Sequence, residues 1–184
     1  GEIEDVGDGK TSEDSVLYNG TFDRYYSDPK TVDGWSMNPF NPNHDTFIQS
    51  EIAHKGNAIA MHATGHSYFY AADFTVEPGN IYLLSYWVRV DEANGLKFAP
   101  YMNDGNYKGG WWMDDAAQPL YDVTDGWVKI TGAVSIPESV GNNDRNPEKK
   151  VQLGFQVYEG SGVIYLDDIS FVKTDVDANN ANLN

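Results

Sequence analysis

Residues 151–172, VQLGFQVYEGSGVIYLDDISFV, constrain the fold more tightly than any other stretch. In the first half, Val151, Leu153, Phe155 and Val157 alternate with Gln152, Gly154, Gln156 and Tyr158. A strand turns successive side chains to opposite faces, so this pattern predicts a strand with one apolar face and one amide-bearing face. Glu159-Gly160-Ser161-Gly162 predicts a turn that folds it back onto a second strand over 162–172. That second strand carries Asp167 and Asp168 inside an apolar run, where carboxylates are costly unless something pairs with them. Alternation groups Asp168 with Ile164 and Leu166, and Asp167 with Val163 and Tyr165. Both sets are apolar, so the pattern leaves open which acid faces inward.

The rest of the chain repeats the same grammar. Strand-like runs occupy residues 16–18, 46–51, 58–63, 68–76, 81–90, 96–103 and 127–136, separated by Asn-Gly, Asp-Gly and Pro-Gly turn signals. No segment holds a helical apolar period over the length a helix needs. Many short strands with frequent turns predict an all-β fold, a β-sandwich jelly roll of two antiparallel sheets. Residues 1–15 read as an acidic linker or loose arm, 16–172 as one domain, and 173–184 as a polar tail or linker. Trp35, in a long irregular loop, reads as a plug over the core edge.

Charge and composition narrow the function. The 28 acidic residues outnumber 12 basic ones, for a net charge of −16, which makes nucleic acid and anionic membrane poor partners. There is no cysteine, hence no disulfide framework or thiolate chemistry, and no apolar run approaches the length of a membrane span. The histidines lack zinc-type spacing, no nucleophile elbow is present, and most acids sit in turns rather than as a pair on a strand face. The chain is therefore expected to bind rather than to catalyse.

Twelve Tyr and five Trp suggest what it binds. Sugar C–H faces stack on aromatic rings, while sugar hydroxyls need amides, acids and guanidinium groups. The polar faces of the strands supply such sets: Trp87 with Arg89, Tyr101 with Asn103, and Gln152 with Gln156 and Tyr158. If these faces belong to one concave sheet, they form an open groove. Trp87 fits a second core face equally well, and Arg89 a surface ion pair. Tyr68, Tyr70 and His62 either line the groove or pack under a loop. Trp111 and Trp112 sit in a glycine-flanked loop that could reach a ligand.

Several motifs in order resemble a known family. They are Asn19-Gly20-Thr21-Phe22-Asp23 with Gly34-Trp35, then His54-Lys55-Gly56-Asn57, then Pro78-Gly79-Asn80-Ile81-Tyr82 leading to Ser85-Tyr86-Trp87-Val88. Gly126-Trp127 with Thr131-Gly132 follows, and Val163 to Phe171 closes the series. Together they resemble carbohydrate-binding modules of the family 4, 9 and 22 type, β-jelly-roll modules of polysaccharide-degrading enzymes. The resemblance implies a secreted or cell-surface, monomeric, non-catalytic module tethered to a glycoside hydrolase. Its partner would be a plant cell-wall polysaccharide or oligosaccharide, xylan or β-glucan foremost. It implies ligand residues on a concave face, including polar residues four apart on the penultimate strand, the spacing of Gln152 and Gln156. It also implies a structural calcium joining the N-terminal turn to the last strand. The matching positions are Thr21, Asp23, Lys55, Asn57 and one or both of Asp167 and Asp168, with Asp23 standing where the family has Glu. The alternative is a structural or adhesive β-sandwich of a bacterial surface protein with no sugar site.

Overall fold

The computed structural model describes residues 8–36, 42–54, 56–104, 118–141 and 146–177. Their regular structure is strand throughout. β1 is Trp35–Ser36, β2 His44–Gln49, β3 Ala58–Ala63, β4 Ser67–Ala71 and β5 Phe74–Thr75. β6 is Asn80–Asp104, β7 Val128–Ser135 and β8 Lys150–Asp177.

All pairings between these strands are antiparallel, and the sheet they form folds over into two layers. In the first layer β1 pairs β4, β4 pairs the beginning of β8, and β8 pairs the end of β6 through Tyr101↔Gly154 and Asn103↔Gln152. In the second layer β2 pairs β3, β3 pairs the later part of β8, and β8 pairs the beginning of β6, which continues to β7. The two sequence runs at 81–90 and 96–103 thus become one 25-residue strand, and the two closing runs become one of 28 residues. Each passes from one layer to the other. Register breaks in β6 between Val90 and Glu92, and between Asn94 and Lys97, relieve the bend. At the crossing Gly160 has φ +71° and Gly95 has φ +61°, a backbone region that suits glycine.

The core lies between the layers. Val151, Leu153, Phe155 and Val157 meet Leu84, Tyr86, Val88 and Val90, all buried, and Tyr86 packs edge-on to Phe155 at 5.0 Å. Burying such side chains stabilises by about 1.5–3 kcal/mol each before chain entropy is charged against it. Trp35 is in this core rather than plugging its edge: its ring stacks on Phe69 at 4.8 Å and meets Phe22 at 5.4 Å.

Two boundary expectations change. Residues 8–15 are packed rather than loose, because Asn19 N donates to the Asp8 carbonyl, Thr21 N to that of Gly9, and Ser15 bridges Val172. Pairing in β8 also continues past 172, with Tyr82 opposite Lys173 and Asn80 opposite Asp177. The short strand expected at 16–18 is absent, and that segment is instead held by the bond from Val16 N to the Phe171 carbonyl.

Candidate functional site

The face of the first layer turned away from the core is built from three adjacent strands. β4 contributes Tyr68 and Tyr70, β8 contributes Gln152, Gly154, Gln156 and Tyr158, and β6 contributes Ala99, Tyr101 and Asn103. The register sets them in rows: Tyr70, Gly154 and Tyr101 lie side by side, then Tyr68, Gln156 and Ala99, with Gln152 beside Asn103. Each row follows from the period of two: Phe69, Phe98, Met102, Leu153, Phe155 and Val157, which alternate with these residues, are core residues.

The face has a floor and a rim. Gln156, Tyr101 and Gln152 are 2%, 3% and 7% exposed, while Tyr68, Tyr70, Asn103 and Tyr158 are half-buried. Tyr101 lies over Gly154, whose missing side chain makes the room: a Cβ there would fall 2.4 Å from the ring. Tyr68 meets Tyr101 edge-on at 5.9 Å, and His66 lies 4.8 Å from Tyr68. Gln156 hydrogen-bonds the Tyr158 hydroxyl, and Lys97 Nζ sits 5.6 Å from the centre of the Tyr158 ring. Burial raises the Tyr158 pKa, and the bond from Gln156 partly offsets that, so the hydroxyl stays protonated at neutral pH. The result is rings interleaved with amides and hydroxyls.

Trp87, Arg89 and His62, expected in the same groove, are on the outer face of the second layer. Trp87 pairs Lys129 and Asp167, Arg89 pairs Tyr165, and His62 pairs Val163. The reason is the bend in β6. Residues 87 and 89 precede it and residues 101 and 103 follow it, so the outward side of one strand serves opposite sides of the sandwich. Arg89 is engaged with Asp91 at 2.6 Å, the surface ion pair that the sequence also allowed. Trp111 and Trp112 lie outside the described residues, as does Lys55.

The two acids of β8 form a separate cluster. Asp168 has φ +47°, and β8 spends two residues, 168 and 169, where β6 spends one. This bulge resets the alternation, so Leu166 and Ile169 both enter the core. Asp167 and Asp168 are both buried, at 0% and 3% exposed. Their carboxylates and the His54 ring offer ligand atoms within 4.8 Å of one another, and His54 Nδ1 is 3.4 Å from Asp168 Oδ2. The His54 ring stacks on Trp87 at 4.1 Å and lies 5.9 Å from Trp127. His54 was not among the side chains expected at a metal. Asp23, which was, is exposed and outside this cluster. The N-terminal turn does reach the last strand, through the bond from Ile169 N to the Gly20 carbonyl at 2.9 Å. Thr21 is buried there, and its hydroxyl accepts from Asp23 N at 3.3 Å.

No family model and no curated protein matches the sequence. Solved structures do match the fold. A family 4 carbohydrate-binding module is 17% identical, with 86% of this chain and 99% of the other covered, at a TM-score of 0.56. The CBM22-1 xylan-binding domain of Paenibacillus barcinonensis Xyn10C is 15% identical, with 85% and 93% covered, at 0.54. The enzymatically active domain of tailspike protein 4 from bacteriophage CBA120 is 11% identical at 0.55; the match covers 88% of this chain but only 22% of that one. The chain therefore has the β-sandwich fold of family 4 and family 22 carbohydrate-binding modules.

Proposed function

We propose that the chain is a non-catalytic carbohydrate-binding module that holds a neutral polysaccharide along the outer face of its first layer. The observation that carries this reading is the cross-strand arrangement of Tyr68, Tyr70 and Tyr101 with Gln152, Gln156 and Asn103. Rings at the rim offer stacking for sugar C–H faces, and the amide floor offers hydrogen bonds to hydroxyls. A groove along this face would suit an internal chain segment. Xylan and mixed-linkage β-glucan are the first ligands to try, and the similar fold of a xylan-binding domain supports that order. A secreted module tethered to a glycoside hydrolase would raise the enzyme's local concentration on its substrate without bond chemistry of its own.

The test is affinity electrophoresis of the chain through gels containing xylan, mixed-linkage β-glucan, glucomannan or no polysaccharide. Retardation in a polysaccharide gel, lost on Tyr101→Ala or Gln156→Ala, supports the reading. Unchanged mobility in every gel, with the fold intact, favours a structural β-sandwich without a sugar site.

A divalent cation at His54, Asp167 and Asp168 forms part of the same reading. Two buried carboxylates fit calcium, which takes oxygen ligands. The imidazole adds a nitrogen donor, a ligand more familiar at zinc. These three side chains would tie the segment between β2 and β3, which carries His54, to β8. Asp23 would stand outside this set.

A further inference from the structure

The second layer carries a pocket of about 350 Å³ at the edge where β3, β6 and β8 meet. His62 and Thr64 come from β3 and the turn after it, Glu92 and Asn94 from β6, and Ser161 and Val163 from β8. The register explains the convergence: Val163 pairs His62 on one side and Glu92 on the other, and Ser161 pairs Asn94. His62 is thus brought to this pocket and not to the first-layer face.

Two features bear on what the pocket can hold. First, its polar groups are uncommitted. Among the described residues, the side chains of His62, Glu92, Asn94 and Ser161 make no hydrogen bond or ion pair. Nearby Arg89 and Asp91, by contrast, satisfy each other. Thr64 Oγ1 donates to the Asn43 carbonyl at 3.1 Å, which leaves its lone pairs to accept. Second, the walls are fixed by backbone contact that only glycine permits. A Cβ on Gly162 would lie 2.5 Å from the Glu92 carbonyl oxygen, and one on Gly160 would lie 2.4 Å from that of Asn94. The His62 ring is itself held edge-on by Phe47 at 5.2 Å. The backbone that carries these side chains is thus in place before a ligand arrives, which lowers the entropy lost on binding.

The lining selects the ligand class. A carboxylate, an amide, two hydroxyls and an imidazole offer donors and acceptors together. Among the described residues no Lys or Arg lines the pocket, and Glu92 repels anions. One imidazole and one carboxylate are too few for a metal. Among the described residues Val163 is the largest apolar side chain of the lining, too little to hold an apolar ligand. The volume lies at the low end for small-molecule sites.

The geometry points to a second binding site, for one neutral sugar unit held by His62, Glu92, Asn94 and Ser161, on the side of the sandwich opposite the first-layer face. It stands on its own lining and does not depend on the function proposed for that face.

The experiment is a two-dimensional 1H–15N NMR titration of the chain with methyl β-D-glucoside, methyl β-D-xyloside and methyl β-D-galactoside, and separately with xylotetraose. The amides of Thr64, Asn94, Ser161 and Gly162 report the pocket, and those of Tyr101, Gly154 and Gln156 report the first-layer face. The expected result is a saturable shift of the pocket amides with at least one glycoside. Glu92→Gln and Asn94→Ala, both at exposed positions, should each weaken it about tenfold, the loss of a hydrogen bond to the ligand, with the response at Gly154 unchanged. Pocket amides that stay still with all four sugars overturn the proposal, as do shifts that survive both variants. Failure of the first-layer reading would register separately, at Tyr101, Gly154 and Gln156.

Discussion

The ring of Tyr101 fills the space that a side chain at position 154 would need: a Cβ built on Gly154 falls 2.4–2.5 Å from its Cζ, Cε1 and Oη atoms. Glycine on a strand interior normally weakens it, and here it lets a large ring lie down over the amide floor. Gly154→Ala should cost little stability, about 1–2 kcal/mol, because the far end of one side chain is what must move. It should nevertheless abolish retardation in the polysaccharide gel that retards the wild type, because Tyr101 can no longer lie flat. Full retention of mobility shift in a folded Gly154→Ala variant would show that the Tyr101 position is irrelevant to binding.

Tyr86 hides a hydroxyl in the core. It is buried with no hydrogen-bond partner among the described residues, and burial drives its pKa well above the ordinary phenol value. A buried polar group left unmatched costs about 1–3 kcal/mol. Tyr86→Phe keeps the edge-on contact with Phe155 and removes the penalty. Urea unfolding should show a gain of roughly 1 kcal/mol with the m-value unchanged; a loss would mean the hydroxyl is satisfied.

Asn19 is a knot rather than a ligand. Its side chain donates to the carbonyls of Arg24 and Asp33 at 2.7 and 2.8 Å and accepts from Arg24 N at 3.0 Å, while its own φ is +56°. Asn19→Ala strands those backbone groups and puts alanine in a left-handed conformation. Losses of about 2–4 kcal/mol are expected in chemical denaturation. A change below 0.5 kcal/mol, the ordinary surface range, would contradict the role.

Cation binding at β8 should show itself in melting curves. Calcium or zinc in excess should raise Tm, and a chelator should reverse the rise. Asp168→Asn should abolish the response to either ion. His54→Ala separates them: loss of the zinc response alone makes the imidazole a ligand of zinc only. Identical melting with each ion and with chelator would remove the cation from the proposal.

Acid should weaken the fold through His44. Burial lowers its pKa below the ordinary 6.5, with Asp45 pulling the other way. The unfolded chain then binds the proton first, so stability falls as pH drops through about 6.5 and stops falling below the depressed folded value. His44→Gln should flatten that part of the stability profile. An unchanged slope would assign it to other groups.

Much of the fold was legible because a period of two survives sheet formation. Residues 58–63 become a strand of those bounds, and the alternating halves of 151–158 divide between core and outer face. The candidate face was legible in part for the same reason: Tyr68, Tyr70, Tyr101, Asn103, Gln152, Gln156 and Tyr158 share it. Trp87 and Arg89 carry the same outward signal, but alternation says nothing about where a strand bends between layers. The bulge at Asp168 was hidden too, since an aspartate with positive φ looks like any other in sequence. His54 is a tertiary arrival at Asp168, 114 positions away, and no local pattern announces it.

The passage of β6 and β8 through both layers has a consequence for how the molecule opens. Two layers joined only by loops can slide or open one at a time. Here the strand that anchors each layer continues, with its ladder of hydrogen bonds, into the other, from Asn103↔Gln152 at one end to Tyr82↔Lys173 near the other. Peeling one layer therefore pulls on the second. Slow amide exchange should report a single opening event, with amides of Gly154 and Leu84 protected by the same free energy and only the outlying β1, β2 and β5 escaping earlier.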